Sequence, residues 1–413
     1  MELQNWAGNQ TFRPERLFAP TSVEEVQQIV RSSSAVRVLG SRHSFNNIAD
    51  SRDVMISMAD IPGQFQLDPV GLTVTVPAGA TYGEVGKYLQ TQQYALHNTA
   101  SLPHISVAGA IATATHGSGS PNGNLASAVV GLEFVTADGA LLSLRPDDPR
   151  FAGVVVGLGA FGAVTKVTLQ IQPTYDIRQT VYEHLPFATL AAEFDQIMDA
   201  AYSVSLFTKW RGDNVDQAWV KCRDESVADH FFGAAPASVG RHPLAGVSGD
   251  TCTEQHGVSG PWIDRLPHFR MEFQPSSGEE IQSEYLMPRH HAVAAIEAMR
   301  SVGERIAPLL MASEIRTVAA DDLWLSSSYQ QETVAFHFTW KRDWAGLVHI
   351  LPVVEAVLDP FDPRPHWGKT FTTSPARLAT MYPRLDDFRV LVREFDPGGK
   401  FRNDFIDTNL FSA

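Results

Sequence analysis

Residues 98–119 read NTASLPHISVAGAIATATHGSG, and this stretch limits what the chain can fold into more than any other. Almost nothing in it is large or charged; Leu102, Ile105, Val107 and Ile111 are its bulky aliphatics. A packed segment of this length would carry a large apolar side chain at every second or every third to fourth position, so an ordinary core strand or helix is a poor description. A flexible linker would not keep those aliphatics among its small residues. Small side chains do let the backbone come within hydrogen-bond distance of a bulky anionic ligand, as a pyrophosphate requires. The stretch therefore reads as a ligand cradle.

The flanking chain alternates helix and strand signals. Residues 21–30 (TSVEEVQQIV) pair Thr21 with Glu24 and Ser22 with Glu25 ahead of a stripe of Val23, Val26, Ile29 and Val30, which predicts a capped helix. Residues 35–39 then run as a strand into Gly40, Ser41, Arg42 and His43, a turn that exposes a histidine where active-site side chains often sit. Strands at 54–58 and 72–76 precede a helix over 78–90 opened by Thr81 and Glu84. Past the cradle, 128–136 and 140–144 form a hairpin through Ala137, Asp138 and Gly139. Residues 157–162 (GLGAFG) match G-x-G-x-x-G, but the adjoining AVTKVTLQI alternates in strand period instead of opening a helix. The nicotinamide-binding reading is rejected on that context.

From Pro173 the character changes to aromatic, strand-rich segments such as 205–210 and 217–222, and 413 residues at 44% hydrophobic suffice for two cores. Residues 224–261 read as a long loop, and 288–306 as an amphipathic helix with Val293, Ile296 and Met299 inward and His290 and His291 at its solvated start. In SEIRTV (313–318), Glu314 and Arg316 project from one face of a strand. In VAFHFTW (334–340), His337 and Thr339 share a face while Phe336, Phe338 and Trp340 take the other. Neighbouring strands in matching register would gather acid, guanidinium, imidazole and hydroxyl on one sheet face; a solvated face with a cross-strand ion pair has the same pattern. The late segment His366-Trp367-Gly368-Lys369 adds a lysine.

Composition excludes several classes. Lys and Arg number 32 against 46 acidic residues, a net charge of -14, which disfavours nucleic-acid binding. Cys222 and Cys252 are too few for a disulfide framework and lack metal-site spacing, which suits a reducing cytoplasm. The start lacks a basic head followed by an apolar run, and no later stretch reads as long and apolar enough to span a bilayer. No H-E-x-x-H motif is present, and no metal is expected.

VLGSRHSFN, SLPHISVAGAIATATHGSG and HWGK together resemble the vanillyl-alcohol-oxidase type of FAD flavoproteins, and within it the alditol oxidases, over essentially the whole chain. The resemblance implies an α+β, two-domain FAD-binding fold with a mixed-sheet substrate (cap) domain. Residues 1–170 would begin the FAD-binding domain, 171–369 form the cap, and 370–413, with FDPGGKFRNDF, complete the FAD-binding domain. It further implies FAD held covalently through His43, without a second cysteine link. Ser41, Arg42 and Ser44 would flank the flavin; Ser101, Ser106, Gly109, Thr113, Ala114, Thr115 and His116 would add cofactor contacts, and Val164 would offer its backbone to the adenine. Ser101, Glu314, Arg316, His337, Thr339 and Lys369 would bind a polyol, with Arg316 and Lys369 catalytic. The implied reaction takes the terminal primary alcohol of an alditol (xylitol, sorbitol) to the aldose by hydride transfer to flavin N5, with O2 reduced to H2O2. The alternative is an aldonolactone (gulonolactone-type) oxidase, which shares the histidine link and HWGK; Glu314 with Arg316 points to the polyol branch. The expected partners are thus a small-molecule polyol and O2, with no nucleic acid or membrane, in a cytoplasmic monomer.

Overall fold

A computed structural model describes residues 2–223, 229–273 and 279–412; residues 224–228, the start of the loop expected over 224–261, lie outside them. Val36–Leu39 and Arg16–Phe18 flank Val54–Ser57 in a small parallel sheet. The helix Val23–Ser32 buries Val26 and Val30 beneath it. Of the two capping pairs, the one at Ser22 forms: its side chain accepts from the Glu25 N–H, and Glu25 returns to the Thr21 N–H at 2.7 Å, which leaves Glu24 out of the cap.

A second sheet runs antiparallel in the order Gln66–Asp68, Thr73–Pro77, Ala163–Gln170, Val129–Val135, Leu141–Leu144. The hairpin through Gly139 is formed as the turn residues dictate, with Leu132 opposite Leu144. The helix expected from residue 78 starts at Tyr82, because Thr81 is extended and closes a complete capping box with Glu84. Residues 157–162 form the turn into Ala163–Gln170, with Leu158, Gly159 and Gly162 at positive φ. A Cβ on Gly162 would stand 2.3 Å from the Val135 carbonyl oxygen, so these glycines serve strand entry and not a nucleotide-binding helix.

The largest sheet pairs its strands antiparallel: Ala235–Pro236, Asp176–Pro186, Asn214–Cys222, Ser203–Thr208, Leu310–Val318, Thr333–Lys341, Glu280–Pro288, Arg364–Pro365. Helices Ala292–Ser301 and Trp344–Leu358 cover one face, packing Ile296, Met299, Leu347, Leu351, Val354 and Leu358 with Phe336, Phe338 and Trp340. The inner stripe of the first helix is Ala292, Ala295, Ile296 and Met299; Val293 is only half-buried, a correction to the expected stripe. Residues 344–361 are also long and apolar enough to span a bilayer, contrary to the sequence expectation, yet their buried stripe packs on this sheet.

A separate core gathers residues of the second sheet and the cradle with Trp367, Leu378, Phe388, Val392, Ile406 and Leu410 from the C-terminal part of the chain. The architecture is α+β. The cradle meets the large sheet directly: the Gly119 N–H donates to the Thr317 carbonyl at 3.0 Å in the plane of the sheet, and His116 Nε2 lies 3.3 Å from Glu284 on the face the helices leave uncovered.

Candidate active site

Between the cradle and the uncovered sheet face lies a cavity of ≈ 450 Å³. On the cradle side, Ser106 precedes the short helix Val107–Ala112. The Ser41 and Ser106 hydroxyls each accept from the other residue's backbone N–H, at 3.1 and 3.3 Å, which locks the 40–44 turn to the cradle. A Cβ on Gly40 or on Gly109 would lie 2.7 Å from the Ser106 hydroxyl, so the lock needs glycine's small size at both positions. Arg42 takes a positive φ of 63° as the turn delivers His43 to the cavity wall. Ser44, Ser101, Thr113, Thr115, His116 and Val164 also line the wall. Ala114, expected as a cofactor contact, does not: at φ 53° its methyl goes into the hydrophobic core.

The His43 ring stacks on Trp6 with centroids 5.2 Å apart, and its Nδ1 lies 3.0 Å from the Ser41 carbonyl oxygen. Burial, aided by Lys369, lowers its pKa to about 4, so the imidazole is neutral at neutral pH and keeps a nitrogen lone pair. A wall of glycine and small side chains at close backbone approach, with a neutral imidazole beside it, fits FAD: the small residues suit the pyrophosphate and the histidine suits a bond to the flavin ring.

The facing sheet presents the substrate residues. Glu284, His337 and Glu314 lie in one cross-strand row, and Gln282 and Thr339 in the next. The two strands expected to be neighbours are neighbours, and the face is buried and not solvated as a surface ion pair would be: Glu314 is 4% exposed and Arg316 5%. Arg316 pairs with Glu284 and stands 3.7 Å from Glu314. His268 Nε2 is 2.9 Å from Glu314 Oε1. Lys369 donates to the Gln282 side-chain oxygen, which His337 Nε2 also approaches at 3.1 Å.

Burial acts to raise the Glu314 and Glu284 pKa values, but Arg316 beside both, with His268 at Glu314 and His116 at Glu284, overcomes it and both stay ionised. Burial would lower Arg316, but the two carboxylates raise it, so its charge is permanent. The histidines go the other way: burial takes His337 and His366 to about 3. Burial lowers Lys369 to about 8, against the pull of Glu284.

Several site residues escaped the sequence reading. Glu280, Gln282 and Glu284 alternate with Ile281, Ser283 and Tyr285 in strand period, a signal equal to that of 313–318. His268 and Lys221 had no local signal. His116, expected at the cofactor, stands with its Nε2 3.3 Å from Glu284 as well as lining the cradle.

Residues 14–145 match the family model for the FAD binding domain, and residues 277–409 match that for D-arabinono-1,4-lactone oxidase. Cradle, face and match define the class, an FAD-binding oxidoreductase. Cholesterol oxidase from Brevibacterium sterolicum superimposes with a TM-score of 0.79 at 16% identity, over 98% of this chain and 96% of that one, which shows the vanillyl-alcohol-oxidase-type fold. The alditol oxidase of a Streptomyces species is 46% identical over 97% of each chain, and this chain belongs to the alditol oxidase family. L-gulono-1,4-lactone dehydrogenase of Mycobacterium tuberculosis, at 29% over 97% of each, and L-gulonolactone oxidase of Bos taurus, at 26% over 98% of each, are more distant.

Proposed function

We propose that the protein oxidises the terminal primary alcohol of an alditol such as xylitol or sorbitol to the aldose, with FAD joined covalently to His43 and O2 reduced to H2O2. The observation that carries this reading is the buried Glu314–Arg316 pair facing the cradle across the cavity. Glu314 is ionised and can accept hydrogen bonds from vicinal hydroxyls, and a buried site that bonds each hydroxyl rejects analogues lacking one. Bound FAD would supply the acceptor for the carbinol hydride and the route of its electrons to O2.

The chain's own groups handle the oxygen and its proton. Arg316 lines the cavity and is permanently charged, so its guanidinium can stabilise the oxygen that loses its proton. Lys369, with its pKa lowered to about 8, is matched to taking that proton near neutral pH. Ser101, His337 and Thr339 complete the polyol contacts, and Ser41, Arg42, Ser44, Ser106, Gly109, Thr113, Thr115, His116 and Val164 surround the cofactor. Residues 1–170 and 370–413 form the FAD-binding part and 171–369 the cap, in a cytoplasmic monomer.

The test is the visible spectrum of the holoenzyme without oxygen, before and after addition of xylitol or L-gulono-1,4-lactone. Bleaching by xylitol in preference to the lactone is the expected result. A preference for the lactone would transfer the assignment to an aldonolactone oxidase, the reading favoured by the match of residues 277–409.

A further inference from the structure

We propose that Lys221 is a positioning residue for the substrate-binding carboxylate of Glu314, acting through His268: the lysine amine, the imidazole and Glu314 form a directed chain of hydrogen bonds whose far end lies behind the cavity wall. This deepens the alditol reading and rests on Glu314 as the substrate-binding acid.

Lys221 lies on Asn214–Cys222, between Asp176–Pro186 and Ser203–Thr208, and is 1% exposed. A lysine this deep must spend its N–H groups on acceptors. One goes to the Leu266 carbonyl. Another reaches His268 Nδ1 at 3.1 Å. Ionised Glu314 can only accept, so the single N–H of the neutral ring falls on Nε2, 2.9 Å from Glu314 Oε1, and Nδ1 is left to accept from Lys221, which burial lowers to about 7 and which keeps N–H donors in either charge state. Burial, then Lys221, lowers His268 to about 4, which keeps the ring neutral. Phe207 and Trp219 hold the ring edge-on at 5.6 and 5.0 Å. One Glu314 oxygen is thereby committed to His268, and the other, Oε2, faces Arg316. Lys221 is absent from the cavity lining, so its influence on substrate passes through the ring.

The experiment compares holoenzymes carrying 15N-labelled histidine, with the His268 signals assigned by their absence from His268→Gln. The wild type should show an unprotonated, hydrogen-bonded Nδ1. Lys221→Met should move that signal to the position of an unbonded acceptor and raise KM for xylitol about tenfold, with kcat changed less than about threefold. Lys221→Gln, which keeps an N–H donor, should recover part of both, and it serves also if the Met variant does not retain FAD. Adding Lys221→Met to His268→Gln should leave KM where His268→Gln alone puts it. A proton on Nδ1 in the wild type, or additive KM losses with an undisturbed Nδ1 signal, would overturn the proposal. If no alditol is turned over, the substrate reading fails, while the nitrogen spectra still decide the role of Lys221.

Discussion

Arg316, on the sheet, and Lys369, on the turn after Arg364–Pro365, carry one sign of charge, but pH acts on them differently. Arg316 is held charged by two carboxylates, whereas burial brings Lys369 down to about 8. A base works in its unprotonated form, so kcat/KM for xylitol should rise with pH through an inflection near 8. Lys369→Met should lower kcat by about a hundredfold or more and abolish the inflection. A falling profile would instead make Lys369 an electrostatic stabiliser. His43→Ala should leave a flavin that acid precipitation extracts; a flavin that stays attached would remove the covalent assignment. Glu314 with Arg316, and His337 with Thr339, could be read from sequence because strand alternation puts each pair on one face; that the two pairs share a face rests on the pairing of their strands. His268 and Lys221 could not, since their meeting depends on a loop and a strand separated by 47 residues of chain.

At the scale of elements, the pattern of agreement has the same origin. The hairpin at Gly139 and the capping box at Thr81 rest on interactions within a few residues, and both stand where those residues place them. The strand Glu280–Pro288 was missed although it alternates, because Ser283 interrupts its apolar side and Trp340 satisfies that serine only from the neighbouring strand. The G-x-G-x-x-G match misleads for a related reason: a motif records which positions need glycine, not whether a helix or a strand comes next. Gly162 combines a φ of 151° with a backbone oxygen 2.3 Å from a would-be Cβ. Gly162→Ala should therefore destabilise the protein by about 2–3 kcal/mol, seen as a lower Tm, and reduce the FAD retained on purification. An unchanged melt would mean that the turn relaxes freely.

On the scale of the whole molecule, Arg37 ties distant segments together. Its guanidinium donates to the carbonyls of Leu158 at 2.8 Å, Gly159 at 2.9 Å, Ile48 at 2.5 Å and Phe401 at 2.6 Å. It is 4% exposed, and burial lowers its pKa to about 10. Arg37→Leu leaves those carbonyls without their donor and should destabilise the fold by about 3 kcal/mol or more, measured as a fall in Tm. Arg37→Lys should recover only part, since one ammonium cannot reproduce the planar fork.

The Phe401 carbonyl in that set carries a consequence for how the protein is made. Val36 also donates its N–H to the Lys400 carbonyl at 2.8 Å, and Asn403 donates to the Asn47, Ile48 and Asp50 carbonyls. The small sheet around Val36 therefore cannot be fully bonded until residues 400–403 have been made, and a chain truncated before residue 396 should melt lower than the intact one.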